Sequence, residues 1–271
     1  MAIRLIALDM DGTLLTPEHQ ISPAVKQAIH DARAQGIVVV LASGRPYIGM
    51  KKYVAELGLD IPGQFCISYN GGLVQRAEDG SCVAEVTLDH NDYLKFEQLA
   101  RQLGVHFQAL DKTHLYTPNQ DISHYTVHEV SLTGIPLRYR AVEQMDPTLR
   151  FPKLMMVDEP ARLDDAIAQM PAEITENYTL LKSAPYYLEI LNKQVNKGQA
   201  VRILAEQLGF TADEVMAVGD QENDLAMLSY AGYGVAMGNA IDSVKQQARY
   251  QTATNAEDGV AQAIQRWALN G

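Results

Sequence analysis

Short apolar runs alternate with amphipathic stretches along the first 70 residues of the chain. Three runs rich in β-branched residues, residues 3–9, 37–43 and 64–68, are typical of buried strands. Between them, residues 22–36 and 46–58 have the apolar spacing of helices, with a proline near each start and a glycine at each end. Strands and helices in alternation predict a parallel sheet with helices on its faces.

After the third predicted strand the pattern changes to alternating segments around turn signals. Two such segments flank Asp79-Gly80, which predicts a β-hairpin. A helical pattern follows over residues 121–133, and a second hairpin pattern covers residues 178–191. Helices mixed with hairpins predict an α+β module with an antiparallel sheet, inserted over residues 86–190.

From residue 191 onwards, apolar runs again alternate with amphipathic stretches, as in the first 70 residues. Residues 196–209 have a helical pattern, and residues 214–220 and 233–237 are typical of buried strands. The simplest interpretation is an α/β fold that the module interrupts. We therefore predict two domains, a parallel-sheet domain of residues 1–85 and 191–271 and an inserted domain between them.

Two carboxylates follow the first apolar strand. Right-handed crossovers place the carboxyl ends of parallel strands at one edge of the sheet, where such folds bind ligands. Asp9 and Asp11 would lie close together there, and their charges would repel each other unless a cation lies nearby. A hard divalent cation such as Mg²⁺ meets this need. Taken alone, the pair is equally compatible with an ordinary turn.

Three further segments place polar residues at strand ends or helix starts. Ser43 and Gly44 lie where a strand gives way to a helix, a favourable position for an anion. Lys197 begins a predicted helix, where a cation is unfavourable unless an anion compensates it. Asp220 ends another strand, and Asn223 and Asp224 follow it. Each has an ordinary structural explanation alone, but together they predict a metal ion and a phosphate in one site.

Four ordered motifs carry a resemblance to a known family. DMDGTLL at Asp9, SGRP at Ser43, NKG at Lys197 and GDQEND at Asp220 resemble the motifs of the haloacid dehalogenase superfamily. The insertion between the second and third motifs resembles the large cap of its Cof-type branch. The resemblance implies a Rossmann-like parallel-sheet core with an inserted C2-type α/β cap, and a Mg²⁺-dependent phosphatase that hydrolyses phosphorylated sugars.

The resemblance also implies a role for each motif residue. Asp9 would attack phosphorus and form an aspartyl-phosphate, and Asp11 would protonate the leaving oxygen and then accept a proton from water. Mg²⁺ would be bound by Asp9, the main-chain carbonyl of Asp11 and Asp220, with Asp224 supporting these ligands from behind. The phosphate would be held by Ser43, Lys197, Asn223 and the main-chain N–H groups of Met10 and Gly44.

Composition and net charge narrow the kinds of molecule that the protein is expected to bind. The 271 residues are 47% hydrophobic and carry a formal net charge of −11, which argues against a nucleic-acid or anionic-membrane surface. A small-molecule partner is expected instead. Neither a signal peptide nor a long apolar span is evident, and Cys66 and Cys82 are expected to be buried thiols on strands. A cytoplasmic monomer or homodimer fits these features.

Two other functions remain open from the sequence. A phosphomutase would pass the phosphoryl group to another hydroxyl instead of to water. A non-catalytic module that senses phosphorylated metabolites would bind phosphate without turnover, although such a module has no need of Asp11 as an acid. His124 and His128 have a spacing that could bind zinc on a helix, without an evident third ligand.

Overall fold

The computed structural model describes residues 2–270, which contain fourteen strands and ten α-helices. The strands are β1 Leu5–Leu8, β2 Val38–Ala42, β3 Phe65–Ser68, β4 Leu73–Arg76, β5 Cys82–Glu85, β6 His106–Leu110, β7 Leu115–Thr117, β8 Leu137–Tyr139, β9 Lys153–Val157, β10 Tyr178–Ala184, β11 Tyr187–Asn192, β12 Val215–Gly219, β13 Tyr233–Ala236 and β14 Tyr250–Gln251.

Helices alternate with the strands along the chain. They are α1 Pro23–Ala34, α2 Tyr47–Glu56, α3 His90–Leu103, α4 His124–Thr133, α5 Pro160–Ala168, α6 Ala172–Asn177, α7 Lys197–Gln207, α8 Leu225–Tyr230, α9 Asp242–Gln247 and α10 Gly259–Ala263. A π-helical segment, Ile264–Leu269, continues α10.

The chain forms two compact units. The core unit comprises the chain up to Ala84 and from Asn196 onwards, and the inserted unit is Glu85–Val195. The predicted end of the insertion at residue 190 falls within β11, which stays paired with β10 as far as Asn192.

The core unit contains one eight-stranded sheet in the order β14-β13-β12-β1-β2-β3-β4-β5. The pairs from β14 to β3 are all parallel, and β4 runs antiparallel to β3. Every residue of β1, β3 and β12 is buried. Strands covered on both faces need continuous apolar sequence, which explains their lack of alternation.

Local signals in the sequence explain the helix ends. The Ser22 side chain accepts a hydrogen bond from the main-chain N–H of Val25 at the start of α1, and Pro23 is its first residue. Gly36, with a φ of +81°, lies just beyond its end. These features confirm the predicted first helix.

The inserted unit has a six-stranded sheet in the order β10-β11-β9-β6-β7-β8. Its pairs are antiparallel except for β7 and β8, which are parallel. The expected antiparallel sheet is confirmed for the other pairs, and the structure departs from it at this edge. The reason is the helix α4, which lies between these strands in sequence and forms a crossover, as parallel neighbours require.

The two cysteines differ in their surroundings. Cys66 on β3 is buried, and burial raises the pKa of its thiol to about 12. Cys82 on β5 is exposed, so the expectation of a buried thiol is wrong there, because β5 is the edge strand of its sheet. Over residues 2–270 we find no helix with the length and apolar character needed to cross a bilayer.

Candidate active site

Three neighbouring parallel strands bring the predicted motif residues to one edge of the core sheet. In the register of the sheet, Leu8 of β1 pairs with Val218 of β12 and with Leu41 of β2. Asp9 follows β1 directly, and its main-chain N–H donates to the Val218 carbonyl oxygen at 3.0 Å. Because Asp220 and Ser43 directly follow β12 and β2, these side chains share the same edge as Asp9.

A buried lysine joins two of the carboxylates. The Lys197 Nζ donates to Oδ1 of Asp9 at 2.5 Å and to Oδ1 of Asp224 at 2.7 Å. The lysine and the Asp224 side chain are fully buried. This pairing explains how a cation is tolerated at the first residue of α7, where the helix dipole opposes it.

Close packing of two helices accompanies this lysine. Gly198 lies beside α8, and a Cβ at that position would be 2.4 Å from the main-chain carbonyl of Ala226. A side chain cannot fit at that distance, so glycine allows α7 to approach α8 closely.

The remaining acidic residues form a connected network. Asp220 accepts hydrogen bonds from the Thr13 hydroxyl at 2.8 Å and the Gln221 side-chain amide at 3.1 Å. Oδ2 of Asp224 accepts from the main-chain N–H groups of Asp220 and Gln221, at 2.8 and 3.1 Å. Since its Oδ1 accepts from Lys197, both oxygens of Asp224 are engaged within the protein.

The electrostatics of this network favour an additional cation. Burial raises the pKa of Asp9 well above its usual value, and repulsion from Asp224 and Asp220 adds to the rise although Lys197 opposes it. Burial also raises the pKa of Asp220. For Lys197, burial acts in the opposite direction, but the Asp224 and Asp9 carboxylates outweigh it and raise its pKa. Three carboxylates thus lie near one ammonium group, which pairs directly with two of them, Asp9 and Asp224.

The donor set fits a hard divalent cation. Asp9, Asp220 and Asp224 each offer a carboxylate oxygen, and these oxygens lie within 4.8 Å of one another. Oxygen-only donors with surplus negative charge suit Mg²⁺ rather than zinc or copper. His124 and His128 lie outside this group, and the His128 Nδ1 is 2.9 Å from the Tyr187 hydroxyl.

Asp11 occupies a different environment from Asp9. Its side chain is 47% exposed, and Arg45 donates to its two oxygens from Nη2 at 2.7 Å and Nε at 3.0 Å. The Nδ1 of His19 lies 3.5 Å from the same carboxylate. Arg45 and Asp11 therefore form a bidentate ion pair.

The residues predicted to hold phosphate form a second polar group. The Ser43 side chain is buried, and its Oγ accepts from the main-chain N–H of Arg45 at 3.2 Å. A Cβ at Gly44 would lie 3.0 Å from the Asn70 side chain. Asn223 donates to Oδ1 of Asn70 at 3.0 Å, so Asn70 connects the second and fourth motifs. The Met10 side chain is fully buried among apolar residues, so only its main chain could contact a phosphate.

Asn70 was missed in the sequence. It is buried and has a φ of +56°, and it comes two residues after the end of β3. The strand-end rule that identified Asp9 applies to Asn70 too, since Asn70 follows the predicted strand over residues 64–68.

A family model for haloacid dehalogenase-like hydrolases matches residues 6–264. The chain belongs to the haloacid dehalogenase-like hydrolase family. The match confirms the family that the four motifs predicted. It also accords with the parallel-sheet core and the inserted module that the structure shows.

Individual relatives of this hydrolase are similar over nearly its whole length. A provisionally named phosphatase of Streptococcus pyogenes serotype M6 is 45% identical over 270 residues, covering 100% of both chains. The 5-amino-6-(5-phospho-D-ribitylamino)uracil phosphatase YcsE of Bacillus subtilis is 33% identical, covering 98% of this chain and 96% of that one.

Solved structures confirm the fold. The crystal structure of a haloacid dehalogenase-like hydrolase from Bacteroides thetaiotaomicron matches with a TM-score of 0.87 and 34% identity, covering 97% of this chain and 99% of that one. The chain is therefore a hydrolase, and the two relatives described above are named as phosphatases.

Proposed function

We propose that this hydrolase is a Mg²⁺-dependent phosphatase that acts on phosphate monoesters of sugars and related small metabolites through an aspartyl-phosphate. The observation that carries the proposal is the contrast between two carboxylates, Asp9 and Asp11, that are separated by a single residue. Asp9 is buried beside Lys197, Asp220 and Asp224, whereas Asp11 is exposed and paired with Arg45. The hydrogen bond from Lys197 favours the ionised form of Asp9 that a nucleophile needs, and the exposed position of Asp11 leaves it open to exchange protons with a leaving group and with water.

In the first half-reaction, an oxygen of Asp9 forms a bond to phosphorus while the bond between phosphorus and the sugar oxygen breaks. Asp11 gives its proton to the leaving oxygen, because a sugar alkoxide is a poor leaving group. In the second half-reaction, water forms a new bond to phosphorus, Asp11 accepts a proton from that water, and the bond to Asp9 breaks.

Arg45 supports one of the two states of Asp11. An arginine that donates two hydrogen bonds suits the ionised carboxylate, which is the form that accepts a proton in the second half-reaction. For the first half-reaction Asp11 must carry a proton, so this ion pair has to loosen when substrate binds.

In this proposal, hydrogen-bond donors and a cation together stabilise the negative charge of the phosphoryl group. Ser43, Lys197, Asn223 and the main-chain N–H groups of Met10 and Gly44 would donate to phosphoryl oxygens. When bound by Asp9, Asp220 and the main-chain carbonyl of Asp11, Mg²⁺ supplies positive charge that offsets the repulsion between phosphate and the acidic residues. Asp224, whose oxygens are engaged by Lys197 and main-chain N–H groups, would hold this arrangement from behind.

The chemistry of the substrate follows from the relatives and from Asp11. YcsE is named for a substrate with a phosphorylated ribityl chain, which is a polyhydroxylated phosphate monoester. We assign the inserted unit, which begins and ends within a few residues of the predicted cap, to substrate selection. A cytoplasmic location and a monomer or homodimer remain predictions.

The test is release of phosphate from a panel of sugar, nucleotide and acyl phosphates, with Mg²⁺ and with chelator. Asp9→Asn removes the nucleophile and a metal ligand, and Glu56→Gln, an exposed carboxylate of the core unit paired with Lys26, is the control. We expect release that needs Mg²⁺ and is lost only in Asp9→Asn. An isomeric sugar phosphate without free phosphate would favour a mutase, and no turnover of any substrate would favour a sensing module.

A further inference from the structure

The turn that follows β3, Tyr69–Gly71, has an unusual main-chain conformation. Among residues 2–270, four residues other than glycine have a positive φ, and two of them are adjacent in this turn, Tyr69 at +52° and Asn70 at +56°. Left-handed backbone is costly for a bulky side chain such as that of tyrosine. Such a conformation persists only where the surrounding structure fixes it, and it is enriched at functional sites.

Main-chain hydrogen bonds attach this turn to the second motif. The N–H of Asn70 donates to the carbonyl oxygen of Ser43 at 2.9 Å, and the N–H of Tyr69 donates to the carbonyl oxygen of Arg45 at 3.2 Å. The Asn70 side chain also lies against Gly44, where a Cβ would be 3.0 Å from its Nδ2. The turn is therefore fixed to one of the loops that we propose to hold phosphate.

The same turn packs against the start of α7. Gly71 has a φ of +104°, and a Cβ at this position would lie 2.4 Å from the main-chain carbonyl oxygen of Asn196 and 3.2 Å from the main-chain nitrogen of Lys197. A side chain does not fit at these distances, so glycine allows the turn to contact the third motif directly. The turn thus contacts two of the segments that carry proposed phosphate ligands.

The Asn70 side chain reaches the fourth motif. It is 5% exposed, and its Oδ1 accepts a hydrogen bond from Nδ2 of Asn223 at 3.0 Å. An asparagine amide carries two N–H donors. Because Asn70 binds one of them, the orientation of the Asn223 amide is fixed, and the second N–H can donate to a phosphoryl oxygen.

We infer that Asn70 is a positioning residue for the proposed reaction. It holds the Asn223 amide in the orientation in which that amide donates to phosphate, and the strained turn fixes Asn70 itself against the second and third motifs. The inference rests on the proposed function, because that function makes Asn223 a phosphate donor. The effect of Asn70 on the substrate passes through Asn223.

Asn70→Gly removes the side chain and keeps the conformation of the turn, since glycine adopts a positive φ without strain. We expect a urea midpoint close to that of the wild type. The KM for a sugar phosphate and the inhibition constant of inorganic phosphate should each rise by roughly five- to tenfold. The change in kcat should be smaller, because phosphoryl oxygens are charged in the ground state and the transition state alike.

Asp258→Gly is the matched control. Asp258 is another left-handed residue of the core unit, with a φ of +59°, and it has no part in the proposed site. The variant makes the same kind of change to the main chain and should leave both constants at their wild-type values.

A double-mutant cycle tests whether Asn70 acts through Asn223. Asn223→Ala should raise the same two constants. The double variant should be no worse than Asn223→Ala alone, because the group that Asn70 positions is already absent.

NMR relaxation of the Asn223 side-chain amide without phosphate gives a readout that does not depend on turnover. The amide should be rigid in the wild type and mobile on the picosecond to nanosecond timescale in Asn70→Gly.

Three results would overturn the inference: wild-type constants in Asn70→Gly, losses that multiply in the double variant, or a mobile Asn223 amide in the wild type. A wild type that releases no phosphate would instead overturn the proposed function. In that case the relaxation measurement still decides whether Asn70 orients Asn223.

Discussion

Asp9 and Asp11 carry the same carboxyl group, but the two side chains differ in burial and in their ion-pair partners. Asp9 is buried against Lys197, and burial raises its pKa. Asp11 is half exposed and bound by Arg45. Strand alternation would place residues 9 and 11 on one face, but β1 ends at Leu8 and the chain turns at Met10, so the two carboxylates meet different surroundings. The division of labour that we propose rests on this difference.

Asp11→Asn tests the role of proton donor. The variant keeps the size of the side chain but cannot protonate a leaving oxygen. We expect kcat/KM to fall by roughly 10²–10⁴ for sugar phosphates and far less for acyl phosphates, whose leaving groups need no proton. Steady-state kinetics on both substrate classes measure the two losses. Equal losses would contradict the role of acid.

Arg45→Ala tests whether the ion pair positions Asp11. Without the two hydrogen bonds the carboxylate is free to rotate, so we expect kcat to fall by about tenfold or more, with a smaller change in KM. Arg45→Lys should recover only part of the loss, because a lysine cannot donate in the same fork geometry.

Arg4→Ala is the matched control for this variant, since Arg4 forms an exposed ion pair with Glu214 in the same unit. It should keep the wild-type kcat. Wild-type turnover in Arg45→Ala would show that Asp11 does not depend on the pair.

Most residues of the candidate site could be predicted from the sequence, because the ends of buried strands can be recognised where apolar runs stop. Asp9, Ser43 and Asp220 follow apolar runs, and the structure brings them to one edge of the sheet. The pairing of Arg45 with Asp11 spans 34 positions, and the bond between Asn223 and Asn70 spans 153. No local pattern specifies such contacts, since they depend on how separate loops meet.

At the scale of elements, the packing of α7 on α8 is the feature on which the buried lysine depends. Lys197 and Gly198 are adjacent, one bonded to the carboxylates and the other lying against Ala226. Element types were largely predictable, because apolar periodicity reports burial. The parallel pairing of β7 with β8 was not, because strand direction depends on the path of the connecting helix.

Gly198→Ala tests this packing. Alanine usually favours a helix over glycine, but here its Cβ would meet main-chain atoms of Ala226 at 2.4 Å. We expect the free energy of unfolding to fall by about 1–3 kcal/mol, with a loss of phosphate release as Lys197 shifts. Urea denaturation measures the first effect. The exposed Glu206→Ala on the same helix should be nearly neutral, and a stabilised Gly198→Ala would refute close packing.

At the scale of the whole molecule, each unit buries one lysine between two carboxylates. The core unit has Lys197 with Asp9 and Asp224. In the inserted unit, the Lys153 Nζ lies 3.0 Å from Glu189 and 3.4 Å from Glu129. Burial opposes the charge of Lys153, but the two glutamates outweigh it and raise its pKa.

Lys153→Met should leave two buried carboxylates without their cation. We expect a loss of about 3–5 kcal/mol in the free energy of unfolding at neutral pH, measured by urea denaturation. Because the folded-state pKa of Lys153 lies above the usual lysine value, this contribution is fully present below that value and is lost as the pH rises through the folded-state pKa.

Lys182→Met provides the comparison, because Lys182 pairs with Asp164 on the surface of the same unit. Exposed pairs contribute about 0–1 kcal/mol, so this variant should be close to wild type. Similar losses in the two variants would argue against a structural role for the buried cluster.

The most direct test of the proposed mechanism is detection of the phosphoryl group on Asp9. The protein is mixed with a sugar phosphate and Mg²⁺, quenched with acid within the first turnover, and reduced with borohydride, which converts an aspartyl-phosphate to homoserine. Mass spectrometry of the N-terminal peptide should show homoserine at position 9, and the signal should disappear after a chase. Full phosphate release with aspartate unchanged at position 9, or a label at another residue, would contradict Asp9 as the nucleophile.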